Sequence, residues 1–404
     1  MVFWLHLAAG AATGLVILAM SATGVLLAYQ RQLTERSVAA GMTPAAPGAP
    51  RLPLDTLVAR AAAGLPPATR ITAVTLRADP AAPVGVATES GRGPTARRQT
   101  RWLDPVTGRV LPGSPRLQAF FSATERVHRS LALGAGTRSP VGTALTGAAN
   151  LVFLFLLVSG LYLWMPRRWT RRAVAAVTVP DFTASGRARD WNWHHVLGLW
   201  AAPGLLVVVG SAAFLSYEWP QRLVARAAGV PAARESGERP AAGAAPRPAA
   251  PPAPRLALDT LAARALAAAG AAAPGAWYSV QLRLPAPTGR EGGRDGAREV
   301  TATVSTARAL RPDRRATVTL DAATGDVRKQ QRYADLDAGR RARGWARFLH
   351  TGEAFGAPGQ TVAMLVSLAG VGLVWTGLAL ALRRLRRQVG RAAEVSTGTA
   401  AGMA

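Results

Sequence analysis

The chain holds five histidines, His6, His128, His194, His195 and His350, and no cysteine. Imidazole can ligate haem iron or zinc, carry a proton, or sit as an amphipathic group at a membrane interface. The lack of cysteine excludes disulfides, iron–sulfur clusters, thiolate zinc sites and c-type haem. The histidines fall into matched sets. His6 and His194 each open a His-x-x-x-Gly stretch, ending at Gly10 and Gly198, with His195 directly beside the second. His128 and His350 each precede a glycine, Gly134 and Gly356, with five residues between. Two pairs of imidazoles with few carboxylates nearby suit a metal that takes two axial nitrogens in an otherwise satisfied plane. That describes haem iron better than zinc, which takes four protein ligands or three plus water. One histidine at a helix end would be read as an interface residue; four at matched positions weigh toward ligation.

The elements that position these residues are four segments free of charged side chains: Val2 to Tyr29, Val141 to Met165, Trp191 to Tyr217 and Ala357 to Leu382. Each exceeds the ~20 residues a bilayer core requires. A cleaved signal peptide is the rival reading of the first, but it lacks a basic n-region and its apolar run is too long. Arginines cluster between spans two and three (Arg167, Arg168, Arg171, Arg172, Arg187, Arg189) and after span four (Arg383, Arg384, Arg386, Arg387, Arg391). Positive-inside orientation then puts both termini in the cytoplasm and the two long loops outside. Five tryptophans, Trp164, Trp169, Trp191, Trp193 and Trp219, fall near the interfaces.

The outer loops repeat each other. Arg51-Leu-Pro-Leu-Asp-Thr-Leu-Val-Ala-Arg60 and Arg255-Leu-Ala-Leu-Asp-Thr-Leu-Ala-Ala-Arg264 open them as short amphipathic helices. Strand-like runs follow, Ile71 to Leu76 and Ala316 to Leu320, then the turns Asp104 to Gly108 and Asp321 to Gly325. Each loop thus reads as one small helix-plus-sheet domain, the second led in by the Pro/Ala-rich stretch Pro231 to Pro254. Inside the spans, Thr23-Gly24, Ser159-Gly160 and Thr376-Gly377 recur, with Ser211-Ala212 as a weaker fourth. They suit either a porphyrin approaching the backbone or close packing of helices.

The 404 residues carry a net charge of +26, but 47 of the 48 basic side chains are arginine, spread along the whole chain. No basic stripe interleaves with stacking aromatics, which disfavours a nucleic-acid surface. The spans hold no charged group of the kind a proton-coupled transporter uses, so transport and a permease-subunit role are disfavoured. No G-x-G-x-x-G follows a strand-like run, which argues against flavin or NAD binding.

In this order the motifs resemble the bacterial PepSY-associated transmembrane family, iron-regulated inner-membrane proteins that include ferric-siderophore reductases. The resemblance rests on the His-x-x-x-Gly span starts, the His128 and His350 segments, the Thr-Gly pairs and the two Leu-Asp-x-Leu to Asp-x-x-Thr-Gly units. It implies an internally duplicated α-helical membrane protein with four transmembrane helices and two small α+β periplasmic PepSY-like domains. The corresponding division is spans at 1–30, 141–165, 191–217 and 357–382, PepSY-like units at 31–116 and 218–340, pre-span segments at 117–140 and 341–356, and cytoplasmic parts at 166–190 and 383–404. It also implies haem b, two per chain and each bis-histidine. His6 and His194 would hold the cytoplasmic-side haem, with His195 as the alternative to His194, and His128 and His350 the periplasmic-side one. Electrons would pass from a cytoplasmic or quinol donor to a ferric siderophore or other ferric chelate, and no catalytic residue is assigned. Arg97, Arg98 and Arg101, or Arg311, Arg314 and Arg315, are candidates to attract an anionic chelate, though each alone reads as solvated. The alternative is a non-enzymatic scaffold whose outer domains bind a periplasmic partner, with interface histidines.

Overall fold

A computed structural model describes residues 1–42, 49–67, 69–91, 97–134, 139–166, 168–229, 255–273, 275–285, 298–307 and 311–401. The lead-in expected at Pro231 to Pro254 lies outside them. The first half runs α1 (Val2–Leu27), α2 (Gln30–Ala39), α3 (Leu54–Ala62), β1 (Thr69–Arg77), β2 (Val84–Ser90), β3 (Arg97–Leu103), β4 (Val110–Leu111), α4 (Pro115–Ser130) and α5 (Pro140–Trp164). After α6 (Arg171–Thr178) the order recurs: α7 (Gly186–Ser216), α8 (Trp219–Ala227), α9 (Leu258–Ala268), β5 (Ser279–Arg283), β6 (Glu299–Ser305), β7 (Arg315–Asp321), β8 (Val327–Arg332), α10 (Ala338–His350) and α11 (Gly356–Ala401).

Four helices are long and apolar enough to cross a membrane, within Val2–Ala39, Pro140–Trp164, Gly186–Ser216 and Glu353–Gln388. They close a ring in which α1 and α7 each pack on both α5 and α11. Their outer faces carry exposed Leu15, Val158, Trp200, Val362 and Trp375, as a lipid-facing surface requires. Polar side chains between the helices find backbone partners: Asn150 Nδ2 donates to Val209 O at 3.0 Å and Gln360 Nε2 to Ala28 O at 2.7 Å.

The remaining strands stand at one end of this bundle. The sequence reading sets the two outer units apart as separate small domains; the structure joins them edge to edge. One antiparallel sheet of eight strands runs β4-β3-β2-β1-β5-β6-β7-β8. Its central seam pairs β1 with β5, Val74 opposite Leu282 and Leu76 opposite Val280. Each unit alone would leave this edge open, and pairing the two edges satisfies both. A single core follows, in which Leu54 and Leu57 of α3 and Leu258 and Leu261 of α9 cover Val74, Val86, Leu282, Val304 and Leu320.

The two units also cap each other. Asp259 Oδ2 accepts from Leu54 N at 2.7 Å, and Asp55 Oδ2 from Leu258 N at 2.8 Å. Each carboxylate also meets an arginine from the other unit, Arg51 at 2.6 Å and Arg255 at 2.7 Å. A carboxylate on the first N–H groups of a helix is favoured by hydrogen bonding and by the helix dipole. The turns at Asp104 and Asp321 form as their residues suggest: Oδ1 accepts from the amides two and three positions on, and Gly108 and Gly325 take φ of +67° and +73°.

Candidate functional site

His6 lies just past the first turn of α1 and His194 and His195 lie in the first half of α7, at the bundle end away from the sheet. His128 and His350 close α4 and α10, two short helices that lie against α1 and α7 at the sheet end. Each of these short helices has a polar N-cap: Ser114 Oγ accepts from Leu117 N, and Asp337 Oδ1 from Arg340 N. His128 is followed by Leu131 and Ala132 at φ 53° and 54°, a left-handed stop for α4. From His6 to the part of α1 that receives His128 is roughly 21–26 Å along the axis, so the histidines occupy two levels.

The small pairs prove to be seats for the imidazoles. His6 Nδ1 lies 2.8 Å from Ser159 Oγ, His128 Nδ1 2.9 Å from Thr23 Oγ1, and His194 Nδ1 3.0 Å from Thr376 Oγ1. The adjacent glycines make room for the rings: a Cβ on Gly160, Gly24 or Gly377 would stand 3.3, 3.6 or 3.2 Å from the Cε1 of His6, His128 or His194. Neither of the two roles expected for these pairs describes this contact fully, since each glycine meets an imidazole from another helix. At the fourth position, Ser211-Ala212, the ring takes a carbonyl instead. His350 Nδ1 lies 2.9 Å from Val208 O, which also accepts from Ser211 Oγ at 2.9 Å.

These contacts decide the tautomers. Thr376 Oγ1 already donates its one proton to Gly372 O at 2.7 Å, and Thr23 Oγ1 donates to Ala19 O at 2.6 Å. Each hydroxyl must therefore accept from imidazole, which puts the ring proton on Nδ1. Val208 O can only accept, so His350 also carries its proton on Nδ1; the same holds for His195, whose Nδ1 is 2.8 Å from Trp191 O. At His6 the contact from Ser159 Oγ to Leu156 O is long, 3.4 Å, so its pairing with Nδ1 is open to either tautomer. In this tautomer Nε2 carries a lone pair, and fixing it through a bond at Nδ1 is how proteins orient metal-binding histidines.

At the sheet end the two rings are neighbours. The centroids of His128 and His350 are 6.2 Å apart. Two imidazoles sharing one metal ion end-on, through bonds of about 2.0–2.1 Å, stand with centroids roughly 6.3 Å apart. The separation of the pair matches that spacing. Burial pushes the His128 ring down to about 4 and the His350 ring below its ordinary value, so both are neutral near pH 7. Among the described residues no three of His, Asp or Glu gather to hold a bare ion. The arrangement is one of pairs.

At the other end His6, His194 and His195 line one cavity of about 780 Å³, within the range of cofactor pockets. Its walls include Gly10, Gly14 and Gly198, and its mouth is set with arginines from α7 and α11. His194 makes the interhelical bond that matches those of His6 and His128. His195 bonds within its own helix and stacks on Trp191 at 4.1 Å. The arginines proposed for anion attraction are largely engaged elsewhere. Arg98 pairs with Glu89 at 3.1 Å, Arg101 caps the end of α3 at Ala61 O, and Arg311 and Arg314 share Asp313. Arg315 lies over the Phe348 ring at 5.4 Å, and the side chain of Arg97 is outside the described residues.

Sequence reasoning missed the carbonyl partner of His350, the Trp191–His195 stack and the reciprocal roles of Asp55 and Asp259. The last had a visible signal in the repeated Leu-Asp-Thr-Leu. No curated protein matches the chain. A comparison with known families matches residues 3–384 to the PepSY-associated TM region. With nearly its whole length matched and the four spans in place, the chain belongs to the PepSY-associated transmembrane family.

Proposed function

We propose that this protein is an inner-membrane b-type haem protein that passes electrons across the bilayer to reduce ferric iron outside, held by a siderophore or another chelator. The observation that carries the reading is the set of histidines at two depths, each with Nδ1 tied to a neighbouring oxygen and Nε2 without a hydrogen bond among the described residues. The 6.2 Å separation of His128 and His350 supports it further. His128 and His350 would hold one haem and His6 with His194 the other. Haem iron supplies reversible one-electron transfer when bound. The chain contributes ligation, tautomer control through Thr23 and Thr376, and exclusion of water by the apolar bundle. The arginine clusters and the positive-inside rule support placing the sheet in the periplasm. Hard oxygen chelators favour ferric iron, so reduction would release the metal for uptake.

The test is an oxidised and dithionite-reduced visible spectrum of the detergent-purified protein with haem-to-protein stoichiometry. A b-type spectrum at two haems per chain, falling to one in His350→Ala, is expected. A colourless protein from haem-replete cells would refute the reading and favour a scaffold that binds a periplasmic partner through its sheet.

A further inference from the structure

The cavity lined by His6, His194 and His195 has a polarised wall. Its deep part is glycine and aliphatic, whereas its mouth presents Arg187 from the start of α7 and Arg383, Arg384 and Arg387 from α11. No Asp or Glu lines it among the described residues. Two of the four arginines are already occupied. Arg383 pairs with buried Asp190 at 3.0 Å, and Arg384 lies over the rings of Phe3 and Trp4 at 5.0 and 4.6 Å. Among the described residues no ion pair is formed by Arg187 or Arg387.

An apolar slot with imidazoles in its wall and two unpaired guanidiniums at one mouth is complementary to a flat amphiphile with two carboxylates along one edge. We infer that Arg187 and Arg387 bind the two propionate carboxylates of a haem lodged in this cavity, and so fix which edge of the ring faces the aqueous end. The inference rests on the haem reading and extends it to residues that touch no iron. Asp190 has a supporting role: by holding Arg383 it ties the start of α7, which carries Arg187, to α11, which carries Arg387. A cluster that served only to orient the chain in the membrane would need positive charge on the flank, with no place in the cavity wall. Guanidinium suits this role because its planar fork matches a carboxylate.

The experiment uses full-length protein carrying His350→Ala, which confines binding to this cavity. It is stripped of haem and titrated with haemin and with haemin dimethyl ester, followed by the Soret band. An interfacial ion pair contributes a factor of about three and two of them about tenfold. Haemin is therefore expected to bind about tenfold more tightly than the diester. Arg187→Gln with Arg387→Gln should abolish that preference while leaving diester affinity unchanged, and Arg187→Lys with Arg387→Lys should retain part of it. Equal affinity for haemin and diester in the unsubstituted arginine background would overturn the propionate assignment and leave the haem reading standing. No Soret band with either compound would sink the haem reading at this cavity and the assignment with it. The diester comparison needs no substitution at an arginine, so misfolding of the arginine variants cannot mask the answer.

Discussion

Replacing Thr376 by valine keeps the shape of the side chain and removes the oxygen 3.0 Å from His194 Nδ1. Thr376 is only 3 % exposed, so water has little access to the vacated position. The α11 backbone offers the ring one other acceptor, the carbonyl of Leu373, so the loss is partly offset. An N–H left wholly without a partner at such a place costs about 1–3 kcal/mol, and the remaining carbonyl puts this case at the lower end. Loss of the hydrogen bond behind a ligating histidine lowers affinity about 10–100-fold, or about 1.4–2.8 kcal/mol, and the two figures agree. On the proposed haem reading, Thr376→Val should therefore speed transfer of the inner haem to apomyoglobin by about tenfold and shift its midpoint potential, while Thr376→Ser stays near wild type. Thr23→Val should act in the same direction at the outer site, where His128 Nδ1 likewise keeps a carbonyl, Met20 O at 3.1 Å. The reasoning is refuted if Thr376→Val, correctly inserted and with unchanged helical circular dichroism, keeps wild-type haem retention and potential.

Other perturbations probe the frame around the histidines. A Cβ at Gly142 would lie 2.1 Å from Ser130 O, a backbone atom two residues beyond His128. Gly142→Ala should push α4 away, destabilise by more than the about 1–3 kcal/mol usual for overpacking, and lose the outer haem; Gly24→Ala, at 3.6 Å from His128, should keep it, as haem content will report. Asp259→Asn removes the Arg51 ion pair and weakens the cap on α3, at a cost of about 1–2 kcal/mol. Its signature is faster protease cleavage within 49–111, while the spectrum stays unchanged. The Arg328 guanidinium and the amides of Ala323 and Thr324 hold the Asp321 carboxyl down at about 2, from an ordinary 3.8. A depressed carboxylate contributes stability that is present above pH 3.8 and is lost as pH falls toward 2. The difference in melting temperature between wild type and Asp321→Asn should therefore be constant above about pH 5 and shrink steadily as pH falls through 3.8 and past 2.

The four spans were legible in the chain because length and lack of charge suffice to mark a segment that lipid must surround. The matched histidines and small pairs were legible as well, since each sits at a recurring offset from a span end. That Ser159, Thr23 and Thr376 receive Nδ1 of His6, His128 and His194 was not legible, because it depends on which helices neighbour each other around the ring. The partner of each of these three histidines comes from another helix, up to 182 residues away. The choice of Nδ1 as the protonated nitrogen was hidden for the same reason: it follows from hydroxyl protons already donated to helix carbonyls.

The outer units show the same division. Residue type and spacing determined their turns, for Asp104 and Asp321 bond to amides two and three positions on, and a glycine closes each loop with positive φ. Local chemistry of this kind needs no knowledge of the rest of the chain. Whether the units stand apart or merge was decided by tertiary structure alone. The pairing of Val74 with Leu282 joins edges some two hundred residues apart, and the caps from Asp55 to Leu258 and from Asp259 to Leu54 cross the same seam. Amphipathic pattern says which face of a strand is buried, but a free edge offers the same amides and carbonyls to any partner. Only the folded arrangement, with both edges brought to one end of the four-helix bundle, selects the pairing that makes a single sheet.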